Sequence, residues 1–270
     1  ELLHYTGDWL EDKKHGYGIA IYADGTRFEG EWEADQRSGF GVCRYPDGSI
    51  YTGEWVDNQR HGTGTSIYSN GNRYVGAWYK DMKQGQGILY GALHQKLYEG
   101  KWWRNKRHGQ GTAWFLETGD RYDGEWFLGK QHGEGDWTGS DGSSYKGSYV
   151  DGFRQGTGLV VYPSGDRYVG EWAHGIREGP LCAYVYKDYG KFVGPFVGDR
   201  VCGQGEYHTF ANRKISGRWE EVVIEDDIGR YTGLVLDGKR YGRGIQVYHN
   251  GNRYDGEFRD GVRQGYGVMQ

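Results

Sequence analysis

The chain has 270 residues, of which 50 are glycine and 4 proline; aromatic residues make up 16%, and the formal net charge is −4. The glycines follow no Gly-x-y triplet, which excludes collagen, and the aromatic content excludes a flexible glycine linker, because disordered chains are poor in aromatics. The net charge speaks against binding nucleic acid or an anionic membrane through bulk charge, and no run of about 18 apolar residues is present to span a bilayer.

Three cysteines, Cys43, Cys182 and Cys202, are odd in number and fit no metal-ligand spacing. They read as reduced thiols in an intracellular, cytoplasmic protein. No signal peptide is visible. Because the chain opens at Glu1 and stops at Gln270, each inside a repeat, it reads as part of a longer one.

From the first residues onward, an aromatic-glycine motif of the form Tyr-x-Gly-x-Trp recurs. It starts at Tyr5, Phe28, Tyr51, Tyr74, Tyr98, Tyr122, Tyr145, Tyr168, Phe192, Ile215, Tyr231 and Tyr254, with steps of 23 or 24 residues except for one step of 16. Such a period marks a repeat array whose units bury their apolar faces only against neighbours. Within each unit a Gly-x-Gly pair (Gly16/Gly18, Gly39/Gly41, Gly62/Gly64, Gly85/Gly87, Gly109/Gly111) opens a short β-branched and aromatic segment. A turn follows, at Asp24-Gly25, Asp47-Gly48, Asn70-Gly71, Thr118-Gly119, Asp141-Gly142, Ser164-Gly165 or Asn250-Gly251. Turns of this kind between β-prone runs predict one hairpin per repeat. Glycine every few residues costs a helix about 1 kcal/mol each time, and no 3.6-residue apolar stripe is present.

On the second strand Phe28, Gly30 and Trp32 alternate onto one side, so stacking hairpins makes a ladder of Trp9, Trp32, Trp55, Trp78, Trp102, Trp126 and Trp172. Whether the Gly-x-Gly residues share that side stays open, since two- and three-residue turns give opposite registers. At about 9.6 Å per hairpin, twelve units predict an all-β, elongated, single-layer antiparallel sheet solenoid on the order of 110 Å long. The regular array spans 1–205, an irregular, degenerate repeat 206–230, and closing repeats 231–270. The array degrades after residue 175, where Gly179-Pro180-Leu181 stands for Gly-x-Gly, and the acidic run after Trp219 predicts a kink, loop or local partner site at 206–230.

The combination of Tyr51-Thr-Gly53-Glu-Trp55, Arg60-His-Gly62-Thr-Gly64 and Tyr68-Ser-Asn-Gly71-Asn-Arg-Tyr74 resembles the MORN (membrane occupation and recognition nexus) repeat along essentially the whole chain. That resemblance implies a β scaffold that binds partners or positions an attached domain. Glu117-Thr-Gly119-Asp-Arg-Tyr122, in an array without an appended domain, is similar to radial-spoke-head proteins of the ciliary axoneme.

Two stripes are candidate partner surfaces. The residue two before Gly-x-Gly is basic at Lys14, Arg37, Arg60, Lys83, Arg107, Arg154, Arg177, Arg240 and Arg263, forming a rail in the connections along one long edge. It reads either as a dock for an acidic protein segment or phosphoinositide heads, or as cations paired with carboxylates such as Asp12, Asp35, Asp57 or Asp81. The tryptophan ladder reads as core alone or as core plus a seat for an amphipathic helix. A second basic row (Arg27, Arg73, Arg121, Arg167, Lys191, Lys214, Arg230, Arg253) and the acids preceding tryptophan (Asp8, Glu31, Glu54, Glu125, Glu171, Glu257) fit cross-strand charge pairs on the solvent face.

His15, His61, His108 and His132 share one slot, but neighbouring slots about 9.6 Å apart do not match zinc–nitrogen distances of about 2.0–2.1 Å, so no metal is expected. Gly-x-Gly opens a strand rather than a helix, so no nucleotide cofactor is expected. No nucleophile elbow is present, and the chain reads as non-enzymatic. The leading reading is a structural scaffold in a cytoskeletal assembly, ciliary by resemblance, with self-association through open sheet ends as a further possibility. Alternatives are a membrane tether on anionic lipid, or an accessory array for an enzyme domain outside this segment.

Overall fold

The computed structural model describes residues 1–209 and 213–270. The chain divides into two compact units, Glu1–Gly133 and Glu134–Gln270. Strands β1 (Leu2–Leu10), β2 (Lys13–Tyr22), β3 (Arg27–Glu33), β4 (Gln36–Arg44), β5 (Ile50–Val56), β6 (Gln59–Ile67), β7 (Arg73–Tyr79), β8 (Met82–Tyr90), β9 (Lys96–Trp103), β10 (Lys106–Phe115) and β11 (Asp120–Phe127) lie in the first unit. Strand β12 (Lys130–Thr138) contains the boundary. The second unit holds β13 (Ser144–Val150), β14 (Phe153–Val161), β15 (Arg167–Ala173), β16 (Ile176–Tyr186), β17 (Gly190–Val197), β18 (Arg200–Thr209), β19 (Lys214–Asp226), β20 (Gly229–Leu236), β21 (Lys239–Tyr248), β22 (Arg253–Arg259) and β23 (Val262–Met269). The 23 strands among the described residues belong to one antiparallel sheet.

The tight turns lie where the sequence did not advertise them. Outside β19, whose link to β20 at Asp227-Ile228 carries no positive φ, the motif strands join the following strand through two residues of positive φ, such as Ala34-Asp35 (48° and 70°) and Lys80-Asp81 (47° and 65°). That pair is the signature of a type I′ turn, whose twist matches that of the strands. The Asp-Gly sites close the longer loops: Gly48 donates its N–H to the Tyr45 carbonyl at 3.0 Å, and Asp47 Oδ1 accepts the Ser49 N–H at 2.9 Å.

Register answers the open question about faces. Within unit 1 the central glycine of each motif pairs with the second glycine of Gly-x-Gly, from Gly7↔Gly18 through Gly53↔Gly64 to Gly111↔Gly124. Cross-strand partners share a face, so the second glycine lies on the aromatic side. The Tyr51 ring lies flat over this row; a Cβ at Gly64 would overlap the ring, and one at Gly53 would overlap the backbone of Gly64. The first glycine pairs instead with tryptophan, as in Gly39↔Trp55, and the ladder bulges there on its other side, between the Gly30 and Trp32 pairings.

Unit 2 keeps this pattern only as far as β18. Cys182 occupies the glycine row opposite Gly194. The expected Gly179-Pro180-Leu181 substitution is therefore an extra residue in the ladder rather than a leucine in the glycine slot. Strand β19 then pairs with β18 through its first half (Gly205↔Gly217, Tyr207↔Ile215) and with β20 through its second half (Val222↔Gly233, Ile224↔Tyr231). The glycine row thus jumps from Gly217 to Val222, five positions (222 − 217). Side chains alternate with a period of two, so an odd jump moves the motif residues Tyr231 and Gly233 to the opposite face of the sheet.

The strands after the jump fold back. Tyr189 Oη donates to the Asp255 carbonyl at 3.3 Å, Trp219 meets Tyr241 edge-on at 5.7 Å between ring centroids, and Gly242 rests against the Tyr207 ring. The outward side of β21–β23 therefore covers the aromatic side of β17–β19. Where the sequence predicted a kink or loop at 206–230, residues 214–226 form one continuous strand that exchanges faces; residues 210–212 of that segment lie outside the described residues.

Candidate functional site

The aromatic side of unit 1 is a closed herringbone. Tyr51 stands edge-on to Trp55 at 5.2 Å and to Trp78 at 5.4 Å; Tyr74 does the same with Trp78 and Trp102, and Tyr98 with Trp102 and Trp126. Edge-to-face pairs of this kind contribute about 0.5–1.5 kcal/mol each beyond burial. The polar tips are satisfied too: Trp55 Nε1 donates to the Gly41 carbonyl at 3.3 Å, and Tyr51 Oη to the Glu54 carbonyl at 3.0 Å. Trp32, Trp55, Trp78, Trp102, Trp126 and Trp172 are only 2–6% exposed. The ladder is core.

The basic row lies on this same side, as lids over the rings rather than along an edge. Arg37 stacks over Trp55 and Arg60 over Trp78 at 4.4 Å, Lys83 over Trp102 at 4.6 Å, and Arg107 over Trp126 at 4.8 Å. Lys14 over Trp32 and Arg154 over Trp172 follow at 5.1 Å, and Arg177 covers Phe196 at 5.2 Å. Each lid is latched to the next tight turn. Arg60 Nε meets Asp81 Oδ1 at 2.9 Å, while the Asp81 N–H donates to the Arg60 carbonyl at 3.0 Å. Lys14 pairs likewise with Asp35, and Arg177 with Asp199, at 3.1 Å. Arg37 uses Asn58 instead, whose Oδ1 accepts its backbone N–H at 2.9 Å. Burial, with repulsion from Arg60 and Arg107, holds the Lys83 ammonium below the usual lysine range.

Among the described residues, Asp8, Glu31, Glu54 and Glu257 do not pair with the second basic row but accept N–H groups at the bulge: Glu54 Oε1 accepts the Thr63 N–H at 2.8 Å and its hydroxyl at 2.7 Å, and Glu31 Oε1 accepts the Phe40 N–H at 3.2 Å. The bonds from the Thr63 hydroxyl and then its N–H hold the Glu54 carboxyl below the ordinary range. The second row pairs within its own strand or its neighbour, as in Arg27–Glu29 (2.7 Å), Arg121–Asp123 (2.7 Å) and Arg253–Asp255 (3.0 Å).

The opposite side of unit 1 carries a feature the sequence reading did not single out. The residue after each tryptophan points away from the core. Val56, Tyr79, Trp103 and Phe127 form a row there, 46%, 42%, 41% and 48% exposed. The histidine slot borders it: His61 lies 5.0 Å from Tyr79, and His108 5.4 Å from Phe127, between ring centroids. The signal was available as an apolar residue at one slot of four successive repeats where alternation calls for a polar one.

In unit 2 the fold-back leaves a cleft of about 740 Å³, lined among others by Tyr207, Lys214, Ile215, Tyr241, Glu257 and Phe258. Partial burial raises the Glu257 carboxyl above the ordinary range. Among the described residues, no cluster of His, Cys, Asp and Glu is arranged to hold a metal ion, and no helix is long and apolar enough to cross a membrane.

No curated protein matches the chain. Among solved structures, the TCP domain of Drosophila melanogaster SAS-4 (dCPAP), in complex with a proline-rich motif of Ana2, is similar at 12% identity. That likeness covers 74% of this chain and 88% of the other, with a TM-score of 0.32. The TCP10 domain of Danio rerio CPAP, with a STIL peptide, has 12% identity over 93% and 96% of the two chains and a TM-score of 0.30. Likenesses this loose carry nothing about function. The family model described as the MORN repeat matches ten segments: 5–27, 28–50, 51–73, 74–92, 98–115, 122–144, 145–167, 168–180, 231–253 and 254–270. Its motif tyrosines, glycines and tryptophans are those of the herringbone, and its gap at 181–230 contains the change of faces. The chain belongs to the MORN-repeat family.

Proposed function

We propose that this chain is a non-enzymatic scaffold that holds a protein partner within a cytoskeletal assembly, and that the assembly is ciliary. One observation carries the reading: the motif side chains are consumed in holding the sheet, while Val56, Tyr79, Trp103 and Phe127 leave a row of apolar surface on the other side of unit 1. Exposed apolar rows in a polar surround are where proteins meet. The ciliary part rests only on the resemblance around Glu117–Tyr122, and the cytoplasmic location on the free cysteines. Anionic lipid on the basic row is the competing reading; it requires cations such as Arg60 to leave both the Trp78 ring and Asp81.

Fractionation of ciliated cells expressing the tagged full-length protein tests this. After mild detergent strips the membranes, the protein is expected to stay with the insoluble cytoskeleton and to crosslink through residues near Trp103. Release with the lipid fraction would overturn the scaffold reading.

A further inference from the structure

The outward row of unit 1 has a regular spacing, and the spacing selects a partner. Val56, Tyr79, Trp103 and Phe127 occupy the same slot in successive hairpins, so neighbours are two strands apart, about 9.6 Å. A polyproline II helix returns to the same face every third residue, after about 9.3 Å, a mismatch of roughly 0.3 Å per step. An α-helix returns after a heptad, about 10.5 Å, and drifts about three times as fast. An extended strand covers the step in about three residues, which puts successive side chains on opposite sides.

Chemistry points the same way. Polyproline II has no internal hydrogen bonds, so its carbonyls need donors, and the row supplies the Tyr79 hydroxyl and the Trp103 indole N–H beside flat rings. The cations here are also uncommitted. Lys80 sits over Tyr79 at 5.6 Å, Arg104 over Trp103 at 5.5 Å, and Lys106 is the cross-strand partner of Trp103. None of these three has an ion pair among the described residues, unlike Lys96 with Glu99 or Arg121 with Asp123. A partner with carboxylates beside its prolines complements them.

We infer that the Val56–Tyr79–Trp103–Phe127 row is a docking surface for a proline-rich, acidic segment of a partner protein, lying across the strands with one proline per hairpin. The inference rests on the scaffold reading and names the partner of its surface.

The probe is a labelled 15-residue peptide with proline at every third position and glutamate among the rest, titrated onto the full chain by fluorescence anisotropy. A version with the same composition and scrambled proline positions is expected to bind at least about tenfold more weakly, roughly 1.4 kcal/mol. The Tyr79→Ser/Trp103→Ser/Phe127→Ser variant should lose the same affinity while circular dichroism still shows a folded sheet, because these side chains lie outside the herringbone. Lys80→Glu/Arg104→Glu/Lys106→Glu should reverse the preference, taking a lysine-substituted peptide over the glutamate one. Equal binding of the scrambled peptide, no effect of the triple serine variant, or tighter binding of a leucine-heptad helical peptide would each overturn the inference. A protein that stays with the detergent-insoluble fraction yet ignores proline spacing would sink this inference and leave the scaffold standing; release with lipid would sink the scaffold, whatever the peptide does.

Discussion

Strands β5 and β19 do the same job by different rules. Strand β5 pairs with β4 and β6 over the same residues, Ile50 to Trp55, so the glycine row runs straight through Gly53 and every ring on one side finds the next. Strand β19 spends its first half on β18 and its second on β20. The herringbone ends there: Trp219 meets Tyr241 edge-on, and Tyr231 begins a separate cluster with Val235, Tyr254 and Phe258. A repeat array therefore keeps its face only while its glycines stay in register. One odd offset suffices to turn the sheet over and let it cover itself.

The sharpest way to break the regular side of that comparison is Trp55→Ala, which removes a ring held by Phe28, Tyr51 and the Arg37 lid. A loss of about 3–5 kcal/mol is expected in chemical denaturation, and a loss under 1 kcal/mol would mean that the herringbone is not the core. Next in size, Gly53→Ala should cost about 3 kcal/mol, because the new methyl meets the backbone of Gly64, whereas Gly217→Ala meets the tip of Leu236 and should cost about 1 kcal/mol. Equal costs would remove the distinction between row and step.

A smaller effect separates the two tryptophans. Trp55→Phe leaves the Gly41 carbonyl without its indole donor, while Trp219 Nε1 has no partner to lose. Measured by thermal denaturation, Trp55→Phe should be the costlier by about 1 kcal/mol. The smallest expected effect is a response to alkali. Burial pushes the Tyr98 hydroxyl from 10.0 up to about 12. A raised folded value means that its stabilisation is intact below pH 10 and is lost as pH rises towards 12. The melting temperature should fall across that window, and Tyr98→Phe should flatten the fall; an unchanged slope would reject the assignment.

Much of this was legible. The 23-residue period, the hairpins and the common side of Phe28, Gly30 and Trp32 follow from spacing alone. The tight turns were not, because Ala34-Asp35 and Lys80-Asp81 lack the glycine that usually marks a type I′ turn, while Asp47-Gly48 carries that mark in a longer loop. Nor could composition reveal that Glu54 caps a bulge, since the bulge exists only once the register is set. The change of faces left one readable trace: in Leu234-Val235-Leu236 the apolar residues run consecutively, as in strands covered on both sides, and Leu234 and Val235 are both buried.

The pairing of each strand with its sequence neighbours has a consequence for how the molecule is made. β-Sheets usually fold slowly because their partners are far apart along the chain, yet in unit 1 each tight hairpin can close as soon as its own stretch has left the ribosome, and each new one finds its platform already laid. Synthesis and folding can keep pace. The fold-back of unit 2 cannot follow that schedule, because Tyr189 must wait for Asp255, 66 residues later. The last contact made should be the first lost: hydrogen exchange should find the β21–β23 cover opening while the herringbone of unit 1 remains closed.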